Sequence, residues 1–127
     1  MSSKYVIDSS AWLEYHQGSA RAVKIKPIIE SEEIATSIIS VAELSDKFAR
    51  ENENFEPFLL FIQSRSAVLP VTISIAAHSG KLKRKMREKV KEFGLADAII
   101  LQTALENKAK LITCDSDFEG SPDAMLI

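Results

Sequence analysis

The chain has 127 residues and a mass of 14.1 kDa, the size of one compact domain, so residues 1–127 are expected to share one core. Hydrophobic residues at 46% and charged residues at 27% exclude disorder, collagen-like repeats and a low-complexity tail. A net charge of −2 gives the whole molecule no electrostatic claim on nucleic acid, yet seven of the 16 basic residues (Lys81, Lys83, Arg84, Lys85, Arg87, Lys89, Lys91) fall within eleven consecutive positions.

Tyr5-Val6-Ile7 is aromatic and β-branched and reads as a first strand, after which Asp8-Ser9-Ser10 offers three N-cap side chains. Ala11 to His16 suits a short helix broken by Gly18, and Ala20 to about Glu30 a second helix with a kink or new start at Pro27. Ile34-Ala35-Thr36 is a second strand. Ser40-Val41-Ala42-Glu43 has the form of a capping box and predicts a helix starting at Ser40, with Leu44 and Phe48 at helical spacing. Phe55 to about Ser64 continues as helix, and Val68-Leu69-Pro70-Val71 reads as a third strand whose proline places it at an edge or a strand end. From Ile73 a long helical stripe runs through Leu82, Met86, Val90 and Phe93 until Gly94 ends it. Leu95 to about Asn107 is a further helix, Lys110 to Thr113 a fourth strand, and Ala124 to Ile127 a short edge strand. Strands alternating with helices predict an α/β fold: a three-layer α/β/α sandwich around a central, mostly parallel sheet of four to five strands.

The longest apolar run, Phe58 to Ile62, falls far short of the about 20 residues a membrane span needs, and no stretch near Met1 suits a secretory signal. The chain therefore reads as a soluble, cytoplasmic protein with no membrane partner. One cysteine, Cys114, excludes an internal disulfide and a cysteine-based zinc site, and His16 and His78 stand alone. Any metal must be held by carboxylates.

In an open parallel sheet, ligands bind beyond the carboxyl ends of the strands. Asp8 ends strand one, Glu43 falls in the first turn of the helix after strand two, and Asp115 lies just past strand four. Asp97 opens the helix that runs back toward strand four, so its end is expected at the same rim. Clustered carboxylates repel and raise one another's pKa unless a cation neutralises them. All-oxygen ligation favours Mg²⁺ or Mn²⁺ and points to metal-assisted hydrolysis of a phosphodiester. Each acid taken singly also fits a capping role: Asp8 at a helix start, Glu43 as the partner of Ser40, Asp97 beside a helix dipole, and Asp117 in a turn. Asp117 is also an accessory metal candidate, while Ser9, Ser10 and Thr113 are placed to orient a ligand or water. The segment 81 to 91 is either the solvated face of an amphipathic helix or an RNA contact through Lys83, Arg84 and Arg87.

Asp8-Ser9-Ser10, Ser40-Val41-Ala42-Glu43, Leu95-Ala96-Asp97-Ala98 and Thr113-Cys114-Asp115-Ser116-Asp117-Phe118, in this order and spacing, resemble the PIN-domain nucleases and, within them, the VapC-type toxins of toxin–antitoxin operons. The resemblance covers nearly the whole chain. It implies a parallel sheet between helices, a Mg²⁺- or Mn²⁺-dependent ribonuclease acting on RNA, a homodimer, and an antitoxin partner. Carried over by position, the acidic set is Asp8, Glu43, Asp97 and Asp115, with Asp117 accessory and the hydroxyl of Thr113 matching the pattern. On this reading Asp8, Asp97 and at least one of Glu43 and Asp115 hold the metal, while the remaining carboxylate orients or deprotonates the attacking water. The rival readings are a phosphoryl-accepting receiver module, an idle PIN-like interaction subunit, and a DNA-directed nuclease on the same scaffold. The receiver is disfavoured because only Asp8 follows strand one and Thr72, rather than an acceptor aspartate, follows Val71.

Overall fold

A computed structural model describes residues 3–127. In chain order the elements are β1 (Tyr5–Ile7), α1 (Ser9–Gln17), α2 (Ala22–Ser31), β2 (Ile34–Ser37), α3 (Ile38–Arg50), α4 (Glu56–Arg65), β3 (Ala67–Leu69), α5 (Ile73–Met86), α6 (Leu95–Glu106), β4 (Lys110–Thr113), a 3₁₀ turn (Ser116–Phe118) and β5 (Ala124–Leu126). The strands form one sheet in the order β3-β2-β1-β4-β5, every pairing parallel. Parallel neighbours cannot be joined by tight hairpins, so pairs of helices carry the chain from β1 to β2, β2 to β3 and β3 to β4.

The two-residue period of a strand divides the core. Ile7, Ile34 and Ile112 point to one face and pack with Trp12, Ile25, Ile29, Leu44, Phe48, Phe58 and Ile62 from α1 to α4. Val6, Ala35 and Leu111 point to the other and pack with Ala98, Leu101 and Ala104 of α6, together with Phe93 and Phe118. The layered α/β/α sandwich expected from the alternating elements is present, with five strands and no antiparallel pair among the described residues. Trp12 anchors the first face. It is fully buried, its indole Nε1–H donates to Thr36 Oγ1 at 3.1 Å, and its ring meets Tyr15, Phe58 and Phe61 edge-on. Tyr15, His16, Phe58 and Phe61 also line an open depression of ≈ 400 Å³ beside α2. Among the described residues, no helix is long and apolar enough to cross a membrane.

Three local expectations change. The helix after β2 starts at Ile38, and its cap is Ser37, whose hydroxyl accepts from the Ile39 N–H at 3.1 Å. Ser40 is consequently inside the helix and buried, and among the described residues its hydroxyl has no partner and no capping box joins it to Glu43. The long basic helix stops at Met86 rather than continuing to Phe93. Its continuation would stack Lys85 on Lys89 and Arg87 on Lys91, like-charge pairs at a four-residue spacing that oppose helix. Instead Arg87 Nε–H donates to the Phe93 carbonyl at 2.7 Å, and Phe93 turns inward, fully buried, to meet Phe118 edge-on at 5.4 Å. Finally, β3 runs over Ala67–Leu69 rather than on through Pro70 to Val71, while the edge position expected from the proline is borne out.

Candidate active site

The strand order reverses between β1 and β4, because the chain builds outward from β1 to β3 and then returns to β1's other side. A crevice opens beyond the carboxyl ends of such a pair. Asp8 sits in it directly after β1, pinned by its own N–H donating to the Ile112 carbonyl at 2.9 Å. Its side chain is 3% exposed. Although Asp8 stands at the N-cap position of α1, its carboxylate does not cap that helix. Oδ2 instead accepts from Ser10 Oγ at 2.6 Å and from Thr113 Oγ1 at 2.9 Å. Each hydroxyl has one proton, already given to Asp8, so each receives a backbone N–H: Ser10 from Cys114 at 2.9 Å and Thr113 from Asp115 at 3.0 Å. This closed network locks the end of β1 to the end of β4.

The other acids approach from different elements. Glu43 lies in the second turn of α3, one turn later than the capping pattern predicts, half-buried, with Oε1 accepting from Ser9 Oγ at 2.9 Å. Asp97, also half-buried, folds back so that Oδ2 accepts from the Gly94 N–H at 3.1 Å, closing the first turn of α6. Asp115 Oδ1 accepts from the Asp117 N–H at 2.9 Å and caps the 3₁₀ turn. The capping expectation for Asp97 thus holds alongside its place at the rim, those for Asp8 and Glu43 do not, and the turn containing Asp117 is capped by Asp115. Arg21 reaches the same end of the sheet through the Cys114 carbonyl at 3.4 Å, a contact without a sequence signal, since 93 residues separate the two.

Burial is the main force on the charge of this rim. It pushes the carboxyl of Asp8 above the ordinary aspartate range, against the hydrogen bonds from Ser10 and Thr113 that favour ionisation. Burial likewise raises Glu43, and the negative charges of Asp8, Asp97 and Asp115 add to it. Asp97 is raised by burial too, with Asp115, Asp8 and Asp117 contributing repulsion. The acids therefore sense one another across the crevice. Among the described residues none of Asp8, Glu43, Asp97 and Asp115 has a Lys, Arg or His partner within 4.0 Å.

As the side chains stand, no three acidic, histidine or cysteine groups among the described residues close on one ion. Each carboxylate is turned toward a protein donor, so closure requires rotation about side-chain bonds. The donor set nonetheless fits a hard divalent cation: oxygen only, no His or Cys, and mutually repelling charge without a protein counter-ion. The serines and threonine singled out in the sequence are all engaged here, Ser9 on Glu43 and Ser10 and Thr113 on Asp8. Thr113→Val is expected to weaken Mn²⁺ binding about 10- to 100-fold by calorimetry, because it removes one of the donors that orient Asp8 and orphans the Asp115 N–H. An unchanged affinity in the folded variant contradicts that role.

Lys83, Arg84 and Lys85 occupy the last turn of α5, while Arg87 lies past its end and is committed through Nε to Phe93. Gly94, read from the sequence only as a helix stop, also supplies the N–H that holds Asp97. The Gly-x-x-Asp spacing at the start of α6 was its available signal.

The profile of the PIN domain matches residues 5–121. The chain belongs to the PIN-domain family. PIN domains are nucleases that hydrolyse phosphodiester bonds, and most depend on divalent metal. Solved structures of the same fold superpose over almost the whole chain. A toxin-antitoxin complex from Klebsiella pneumoniae aligns at TM-score 0.76 and 22% identity, covering 96% of each chain. VapBC2 from Rickettsia felis, bound to a DNA fragment from its promoter, aligns at 0.75 and 20% identity, covering 97% of this chain and 96% of that one. VapC20 from Mycobacterium tuberculosis, described as a Sarcin-Ricin loop cleaving toxin, aligns at 0.73 and 16% identity over 94% and 96% of the two chains. At these identities the likeness is one of fold. Among curated proteins none matches the sequence significantly.

Proposed function

We propose that this PIN-domain protein, acting as one unit over residues 1–127, is a Mg²⁺- or Mn²⁺-dependent endoribonuclease, the cytoplasmic VapC-type toxin of a toxin–antitoxin pair. The observation that carries the reading is the rim at the β1/β4 switch point, where Asp8, Glu43, Asp97 and Asp115 stand within electrostatic reach of one another, with no ion-pair partner among the described residues. The toxin assignment is supported by toxin-antitoxin complexes among the structures that share the fold. An RNA substrate is supported by the Sarcin-Ricin loop cleaving toxin among them. A homodimer is supported by apolar surface on α4, where Leu60 is 60% exposed.

Asp8, Asp97 and Asp115 hold the cation, with Asp117 accessory. Their orientations are set by the hydroxyls of Ser10 and Thr113, by the Gly94 N–H and by the Asp117 N–H. A bound divalent ion supplies neutralisation of this rim and Lewis acidity toward the phosphodiester. Glu43 hangs from α3 by one hydrogen bond, from Ser9, and burial raises its pKa toward the range suited to a general base. It takes a proton from the attacking water as the new bond to phosphorus forms and the bond to the ribose oxygen breaks. Ser9 fixes the direction in which that carboxylate faces.

The test is a Mn²⁺ titration by calorimetry on partner-free protein beside Asp97→Asn. The asparagine carbonyl still accepts from Gly94 N–H, so the variant keeps its cap and is expected to fold, which circular dichroism checks. Saturable binding in the parent, lost in the variant together with RNA cleavage, is the expected result. No binding in the folded parent returns the carboxylates to structural roles. Binding without turnover on RNA identifies an interaction subunit, and preferential cleavage of DNA identifies a DNA-directed nuclease.

A further inference from the structure

The acidic rim repels a polyanion, so a nuclease built on it needs positive surface nearby. Residues 81–94 carry seven cations against Glu88 and Glu92, leaving this stretch at +5 on a chain of net charge −2. Its place follows from the helical hairpin: α5 and α6 pack against each other and are joined by residues 87–94, so the basic last turn of α5 lies at the end of α6 that bears Asp97. The stretch is also stiffly mounted. Leu82, Met86 and Val90 pack onto the second core face, Phe93 is buried on Phe118, and Arg87 ties back to the Phe93 carbonyl. The next residue, Gly94, holds Asp97, and Phe118 belongs to the turn that Asp115 caps.

Among the described residues the cations are not neutralised by the protein: none of Lys81, Lys83, Arg84, Lys85, Arg87, Lys89 and Lys91 has a carboxylate within 4.0 Å. The acids of α6 are directed elsewhere, Asp97 to Gly94 and Glu106 to Gln102 and His78. Lys81, Arg84 and Lys85 border an open depression of ≈ 670 Å³ with Gln102, His78 and Glu88. Favourable placement at a helix C-terminus accounts for Lys83, Arg84 and Lys85 and not for Arg87, Lys89 and Lys91, which lie past the end of the helix and are exposed.

We infer that the end of α5 and the strap 87–94 form a phosphate-contact surface that holds the RNA backbone beside the acidic rim, with Lys83, Arg84 and Lys85 as contacts and Arg87 as the residue that positions the strap. This inference rests on the nuclease reading, and its test reads binding rather than cleavage so that the two fail separately. In the Asp97→Asn background, affinity for a fluorescein-labelled single-stranded RNA is measured by anisotropy across a salt series. Neutralising Lys83, Arg84 and Lys85 together to Gln is expected to flatten the slope of log affinity against log salt by about 2, at about 0.7 for each phosphate no longer neutralised, and to weaken binding about 10- to 100-fold at low salt. Neutralising Lys24, Lys26 and Lys108 to Gln makes the same change in net charge away from the strap and is expected to leave the slope near that of the parent. An unchanged slope in the first variant, or an equal loss in the second, overturns the inference. So does a first variant that loses affinity for a polyglutamate peptide while keeping affinity for RNA, an outcome that assigns the surface to an acidic protein. A failure here leaves the Mn²⁺ titration standing, and absence of Mn²⁺ binding leaves the salt slopes readable.

Discussion

Asp8→Asn is expected to lower the rate of phosphodiester cleavage by about 10²- to 10⁴-fold or more while raising the melting temperature of the metal-free protein by a few degrees at neutral pH. The two effects have one origin. Asp8 is almost completely buried, and the asparagine carbonyl can accept from Ser10 and Thr113 as the carboxylate does, so the packing survives while the buried charge is lost. Folding raises the carboxyl pKa above its ordinary value of 3.8, so the folded chain binds more protons than the unfolded chain between those two values. Ionised Asp8 therefore costs stability at neutral pH, and the cost fades as pH falls through the raised pKa and is gone below the ordinary value. The thermal gain of the variant should shrink over the same window. Mn²⁺ should raise the melting temperature of the parent and leave the variant unmoved. Scanning calorimetry of both proteins at neutral and acidic pH, with and without Mn²⁺, reads all three effects. A variant that melts well below the parent under metal-free neutral conditions would falsify the claim that this charge is held against its own burial.

Trp12→Ala should have the largest effect on the fold, about 3–5 kcal/mol of stability, seen as a fall of about 10–20 °C in thermal melts followed by circular dichroism. The indole is fully buried and touches three aromatic rings of α1 and α4, and its N–H is the donor to Thr36. Truncation leaves a cavity beneath α1, the helix that begins with Ser9 and Ser10. Cleavage should therefore decline in Trp12→Ala even below the melting transition, whereas Trp12→Phe should retain most of both. A fall of only a few degrees would mean that α1 and α4 collapse into the space.

The features legible in the sequence are those set by short-range periodicity and by topology. Tyr5-Val6-Ile7, Ile34-Ala35-Thr36 and Lys110 to Thr113 read as strands because their apolar, β-branched content fits buried parallel pairing, and from them the rim positions of Asp8 and Asp115 follow. The chemistry of the carboxylates was less visible. A Ser-x-x-Glu spacing at 40–43 imitates a cap, but Ser37 takes the cap and Glu43 turns to Ser9, 34 residues away in sequence. Nothing local announces that Asp8 will be held by Thr113. The end of α5 was hidden for a similar reason: Leu82, Met86, Val90 and Phe93 keep a helical stripe, and what breaks it is charge crowding together with the docking of Phe93 on Phe118.

The Asp8–Thr113 hydrogen bond spans 105 residues, and β1 pairs on one side with β2 and on the other with β4. On a ribosome the first strand is made long before its second neighbour, and the acids Asp97 and Asp115 emerge only after β1, β2 and β3. The cleft is thus assembled last. A nascent or prematurely terminated chain that lacks β4 carries Asp8 and Glu43 without Thr113 and Asp115, so the rim cannot be assembled before β4 is made. For a nuclease, the order in which the sheet closes is itself a delay on self-inflicted damage.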